Sequence, residues 1–266
     1  MSFTSKKLSE VYKDILHTNN SNTGISTTTK DVTCGDGDTT ALQLSNQRVA
    51  VKPAADNATI LRVRDTDGNN LLVVDSTNDL VKAGIGQHIV NTQYATFGQL
   101  SSVLSGALAN THYPMGFANN SRSISAFVEV NITFGTSTEP ATTFTTADGT
   151  GTDAAELIPC LWLVPDNITI DAVYSLEGAS AATGDTTRMH LYSYTFTSGS
   201  TSALTNGTLL AHNSDVTNAG SEQGYKSTWT VDSANVDGNK VILAFFRSDS
   251  VNSDYSVNIT VKYHLR

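Results

Sequence analysis

The N-terminal stretch spaces its apolar residues at helical intervals. Leu8, Val11, Tyr12, Ile15 and Leu16 fall at i, i+3, i+4, i+7 and i+8, one face of a helix. Thr4 or Ser5 can cap it, since a hydroxyl accepts a free backbone N–H, and Asn19, Asn20, Ser21 and Asn22 end it. About fifteen residues is marginal for a helix in isolation, so its stripe needs a surface to pack on. From residue 32 the period drops to two. "TALQLS" and "QRVAVKP" place Leu42 and Leu44, then Val49 and Val51, on one side of each run. "TILRVRD" and "NLLVVDS" flank Asp67-Gly68, which predicts a tight two-residue hairpin turn because glycine takes positive φ freely. "DLVKAG" adds one more short pass.

Helical spacing returns in "TFGQLSSVLSGALA" (96–109), where Leu100, Val103, Leu104, Ala107 and Leu108 predict a short helix, with "NTHYPMGFANNSRS" as a linker after it. Beyond Ile124 the chain alternates again. "ISAFVEVNITF", "ELIPCLWLV", "ITIDAVYSL", "RMHLYSYTF", "GTLLAHN", "YKSTWTV", "KVILAFFRS" and "YSVNITVKYHL" are strand candidates separated by Gly, Ser, Asn and Asp turns. Such spacing predicts a β-sandwich or jelly roll, with Val257, Ile259 and Val261 inward on the last strand.

The two β regions differ in what they can bury. Residues 124–266 hold both tryptophans, Trp162 and Trp229, and most of the tyrosines, enough for a core of their own. Residues 32–92 are short runs interrupted by Lys and Arg and nearly without large aromatics, and so small a core is marginal alone. The simplest cover for their apolar face is the same segment of sister chains, which predicts an intertwined homo-oligomer.

Composition narrows the function classes. Charged residues are only 15% of 266 and the net charge is −9, which argues against a nucleic-acid partner, since that needs clustered Lys and Arg. Lys6, Lys7 and Lys13 are balanced by Glu10 and Asp14 and read as a solvated helix face. No run approaches the ~18 apolar residues that span a bilayer, so no membrane insertion is expected. The N-terminus has no uninterrupted apolar stretch and does not read as a signal peptide. Cys34 and Cys160 follow no metal spacing and read as two thiols. Seven Asn-x-Ser/Thr matches are what an Asn-, Ser- and Thr-rich chain supplies by chance.

Candidate chemistry is thin. The histidines, His17, His88, His112, His190, His212 and His264, show no paired metal spacing. Asp185 and His190 with a nearby Ser form a triad only on paper, because triads are defined by geometry. "DTDGNN" (65–70) has its Gly fourth and no Glu following, so it reads as a turn rather than a calcium loop. Glu129, Glu139, Glu156, Glu177 and Glu222 show no spacing that pairs two carboxylates for glycoside cleavage. No catalytic, cofactor or metal set is expected. Tyr194 and Tyr225, near strand ends, are candidate surface contacts for sugars; Trp229, within a strand, reads as core.

"TALQLSNQRVAVKP" followed by "LRVRDTDGNNLLVVDSTNDLVKAG" resembles the shaft modules of tailed-bacteriophage fibre and appendage proteins, through Asp65, Gly68 and Asn69, then Leu71, Val74 and Asp75. "LWLVPDNITIDAVYSL", "RMHLYSY" and "KVILAFFRSD…YSVNITVKYHL" are similar to β-sandwich heads on virion proteins of marine phages. The resemblance implies a mainly β, homotrimeric virion component made in the host cytoplasm. Residues 1–31 would be a helical anchor to other virion proteins through Leu8, Val11, Tyr12, Ile15 and Leu16. Residues 32–92 would be a short intertwined β-shaft, 93–123 a short helix and linker, and 124–266 a jelly-roll-like head. The function implied is structural: tail fibre, capsid fibre or decoration appendage contacting a host glycan or protein. A carbohydrate-binding module or adhesin without catalysis is the alternative.

Overall fold

The computed structural model describes residues 16–19, 23–101, 108–118, 132–145, 157–180, 182–250 and 254–266. It is mainly β, built from antiparallel sheets, and divides into two compact units, residues 1–90 and 91–266. Of the expected N-terminal helix only Leu16 is described; it is exposed and leads into a strand.

The first unit is two four-stranded meanders. One joins β1 (His17–Thr18), β2 (Lys30–Thr33), β3 (Thr39–Leu44) and β4 (Val49–Val51). The other joins β5 (Leu61–Arg64), β6 (Asn70–Asp75), β7 (Leu80–Ala83) and β8 (His88–Ile89). Each expected run forms a strand, but the Asp67-Gly68 turn is longer than two residues. The Gly68 N–H donates to the Asp65 carbonyl at 3.2 Å, Gly68 sits at φ +86°, and the ladder slips by one residue between Val63 and Arg64. The Asp65 carboxylate accounts for the extra length. It accepts from the backbone N–H of Asp67 (3.0 Å) and Asn69 (2.7 Å) and from the Asn69 amide (2.9 Å), rewarding a wider loop.

In the second unit, β9 (Thr92–Ser101), β10 (Tyr113–Pro114) and β11 (Gly116–Phe117) lie in the stretch expected as helix and linker. After a 3-10 turn (Ile158–Cys160) come β12 (Trp162–Val164), β13 (Ile168–Ser180), β14 (Thr186–Phe196) and β15 (Leu204–His212). β16 (Val216–Thr217), β17 (Glu222–Thr228), β18 (Thr230–Val231), β19 (Asn235–Val236), β20 (Lys240–Ser248) and β21 (Asp254–Leu265) complete it. The helix expected from residue 96 is a strand as far as Ser101, because ten consecutive pairings with β21, from Thr92 opposite His264 to Ser101 opposite Tyr255, override local spacing. Residues 102–107 lie outside those described. The linker is structural: Tyr113–Pro114 pairs with β20 and Gly116–Phe117 with β9, so five residues pass from one sheet to the other around a fully buried Met115.

One sheet runs β11-β9-β21-β13-β17, with β19 on β13; the other runs β10-β20-β14-β15-β18, with β12 and β16 on its flanks. A single core lies between them, sandwich-like. Ala95, Phe97, Ile170, Val173, Val257, Ile259 and Val261 from the first sheet meet Met189, Leu191, Leu210, Ile242, Ala244 and Phe246 from the second. Trp229 sits where β17 ends and β18 begins in the opposite sheet, buried, with its indole N–H on Ser175 Oγ at 2.9 Å. The seven-stranded sheet is also covered on its other face. There Tyr192, Tyr194, Val241, Leu243 and Phe245 pack under Ile132, Phe134, Phe144 and Leu157. Ile132–Phe134, expected as the end of a strand, form an irregular covering layer; residues 124–131 lie outside those described.

β13 carries a bulge between Ile170 and Ala172. Ile168 and Ile170 point inward before it; Val173, Ser175, Glu177 and Ala179 do so after it, leaving Tyr174 and Leu176 outside.

Candidate functional site

The first unit's second meander sorts its side chains by face. Register places Leu61 opposite Val74 and Val63 opposite Leu72; Val74 in turn faces Val81 and Leu72 faces Ala83, so all six share one face. Leu61 (39%), Val63 (47%) and Val81 (42%) are exposed there. Arg62, Val73 and Lys82 occupy the opposite face, where Val73 and Asp75 are buried. Asp75 gathers that side. It accepts from the N–H of Thr77 (3.2 Å) and Asn78 (3.1 Å), the Asn78 amide (3.0 Å) and Lys82 Nζ (3.1 Å). These hydrogen bonds, led by Asn78, hold its carboxyl below the usual carboxylate range, and the Asn69 amide does the same for Asp65. The first meander repeats the theme: Leu42 faces Val51 and Leu44 faces Val49, with Leu42, Val49 and Val51 exposed. In the second meander Arg62 and Lys82 share the face opposite this apolar row, whereas in the first Lys30 lies across from Leu44 on the apolar side.

The residues named from sequence fare differently. Leu8, Val11, Tyr12 and Ile15 lie outside those described. Tyr194 is not a surface contact: it is fully buried and its hydroxyl donates to the Ala141 carbonyl at 2.8 Å. It lies in the middle of a sheet that is covered on both faces, which strand-end reasoning missed. Tyr225 is half-buried, its hydroxyl held by Gln223 and by the Ala219 N–H (3.2 Å), where it braces the β16–β17 turn. The aromatic side chains exposed on the six-stranded sheet are instead Tyr94 and Tyr174, beside Leu176.

The paper triad does not assemble. Neither ring nitrogen of His190 has a hydrogen-bond partner, while Asp185 accepts from the Tyr255 hydroxyl at 3.3 Å. Glu177 and Glu139 lie on opposite sides of the seven-stranded sheet. Glu177 points between the sheets and takes the Thr187 hydroxyl on both oxygens (2.8 and 2.9 Å); Glu139 accepts from the Tyr192 hydroxyl at 2.6 Å in the outer layer. Burial raises Glu177 from 4.5 to about 7. Among the described residues no group of three or more His, Cys, Asp or Glu is arranged to hold a metal ion.

One polar cluster was invisible in the sequence. His112, within the stretch read as linker, is fully buried against His190 of β14, with ring centroids 5.1 Å apart; His212 lies 6.4 Å beyond. His112 Nδ1 meets the Gly135 carbonyl at 3.2 Å and its Nε2 has no partner. Burial first, with neighbouring positive charge, lowers His112 to about 4, against the pull of the Gly135 hydrogen bond, and His190 to about 3. No helix among the described residues is long and apolar enough to cross a membrane. The chain matches no protein-family model, and no curated protein matches it in sequence.

Proposed function

We propose that the chain is a non-enzymatic structural appendage of a phage virion, a tail fibre, capsid fibre or decoration protein. In this reading residues 32–92 join sister chains into a short β-shaft, trimeric as in the proteins it resembles. The jelly-roll-like second unit is displayed toward a host glycan or protein, and the N-terminal segment docks on other virion components. The observation that carries it is the face formed by Leu61, Val63, Leu72, Val74, Val81 and Ala83, apolar across three strands, with Leu61, Val63 and Val81 exposed among the described residues. Fully burying one Val or Leu side chain is worth about 1.5–3 kcal/mol, so a row repeated on each chain gives association a substantial drive. The reverse face carries Arg62 and the Lys82–Asp75 ion pair around a buried Val73.

A carbohydrate-binding module or adhesin is the second reading, favoured by Tyr94 and Tyr174 standing exposed on the six-stranded sheet. Light scattering on the purified chain tests the first: it should weigh three times 28.2 kDa. A stable folded monomer at micromolar concentration overturns the shaft.

A further inference from the structure

We propose that the contact between His112 and His190 is an acid-sensitive latch. It holds residues 132–145 on the outer face of the seven-stranded sheet while both rings are neutral, and a proton on either ring releases that layer. The geometry makes His112 the point of attachment. Its N–H donates to the Gly135 carbonyl (3.0 Å) and its carbonyl accepts from the Phe134 N–H (2.9 Å), so its backbone clamps the layer from both directions. Its ring carries that clamp onto His190, in the centre of β14. Both rings are fully buried, and three of their four nitrogens lack a hydrogen-bond partner.

A charge placed there finds no unengaged counterion among the described residues. From β14, Arg188 is adjacent and already on Asp215 (3.3 Å); from β20, Arg247 lies directly across from Arg188 and binds the Asn110 carbonyl (3.1 Å) and amide oxygen (2.7 Å). From β15, His212 is engaged with Asp232 at 2.8 Å. From the covering layer, Glu139 is held by the Tyr192 hydroxyl, itself kept protonated by burial and by that bond. Glu139 favours a proton on His112, but Arg247 and Arg188 both oppose it, and burial weighs more than any of these charges. An uncompensated buried charge is far costlier than a neutral orphan, so the layer leaves rather than the proton. Release uncovers Phe134, Phe144, Tyr192, Tyr194 and Phe245. The inference rests on the second unit alone and does not depend on self-association.

The sign follows from linkage. The rings titrate near 6.5 when free and near 4 and 3 in place, so the stability of the layer is complete above pH 6.5 and drains as pH falls toward 4. The test is amide hydrogen exchange of the full chain between pH 7 and 3.5, corrected for intrinsic rates, with tryptophan fluorescence alongside. Neither tryptophan touches the 132–145 layer: Trp162 packs on Phe97 and Phe117 and Trp229 on Ser175, in the core between the sheets. Protection of the Phe134 and Gly207 amides, the latter bonded to Thr142, should fall about tenfold per pH unit per ring below 6, before the fluorescence changes. Layer and core opening together, or a layer protected unchanged to pH 4, overturns the latch. In the double variant His112→Phe, His190→Phe the step should move down by about one pH unit or more; a step at the unchanged pH overturns it. Should that variant not fold, ring-proton NMR of the unaltered chain decides: midpoints near 4 and 3 support the latch, and a midpoint near 6.5 for both rings with the layer in place overturns it.

Discussion

In β5–β7 the apolar residues that alternate with charge, Leu61, Val63 and Val81, stay exposed; in β14 and β20, six consecutive residues on each strand, Met189–Tyr194 and Val241–Phe246, are all buried. Both are short antiparallel strands with tight connections. The difference is supply. The second unit has a partner sheet for one face of β14 and β20 and an irregular layer for the other, whereas in the meander, among the described residues, Val73 and Asp75 are buried while Leu61, Val63 and Val81 stay exposed. Stability in the second unit is therefore internal, and the meander's exposed apolar face is the part on which the proposed association rests.

The largest effect belongs to the doubly covered sheet. Phe245→Ala should cost about 3–5 kcal/mol in urea unfolding of the second unit, since a fully buried ring leaves a cavity under Phe134. Next is pH. Glu177 titrates higher folded than unfolded, so its contribution is complete below about 4.5 and is lost as pH rises through 7. The loss reaches about 3 kcal/mol, and Glu177→Gln should remove it, leaving the variant more stable than the parent at pH 8 but not at pH 4.5. Between 4.5 and 6.5 this trend opposes that of the buried histidines, which flattens the parent's stability curve in urea titrations at stepped pH. Third, Val63→Asp should reduce the mass in light scattering to one chain while the urea midpoint of the second unit stays within about 0.5 kcal/mol. A variant that keeps the parent mass breaks the contrast. Trp229→Phe should cost about 2 kcal/mol, because Ser175 Oγ loses its donor in a dry interior. Smallest is Gly68→Ala, about 1 kcal/mol for a side chain at φ +86° with open space around it, measured on the first unit's unfolding.

Period-two patterning exposed most of the strands before any coordinates, because alternation is a local record of a wet and a dry face. It also separated the aromatic-rich second half from the sparse middle. It failed where a distant strand decides. "TFGQLS" carries apolar residues at helical intervals, yet the full-length ladder with β21 claims it. The stretch around His112 was polar and Pro-containing and gave no sign that it passes between two sheets. Tyr194 was misplaced for a related reason: a strand buried on both faces has no wet side, and the continuous apolar run of β20 beside it was the available clue. The histidine cluster was out of reach, since His112 is brought to His190 by folding across 78 residues of chain.

The bulge in β13 gives that strand a spare position. Removing one residue elsewhere between Ile168 and Ser180 reverses the facing of everything beyond it and turns Ser175 and Glu177 toward water. Losing Asp171 or Ala172 straightens the ladder, because two residues there already share one partner's place, and only the loss of Asp171 also takes away the 2.9 Å contact with His264 Nδ1. Sequence length in this strand is therefore negotiable at a single spot, and what the six-stranded sheet shows to its surroundings, Tyr174 and Leu176, survives a deletion there and nowhere else along its middle.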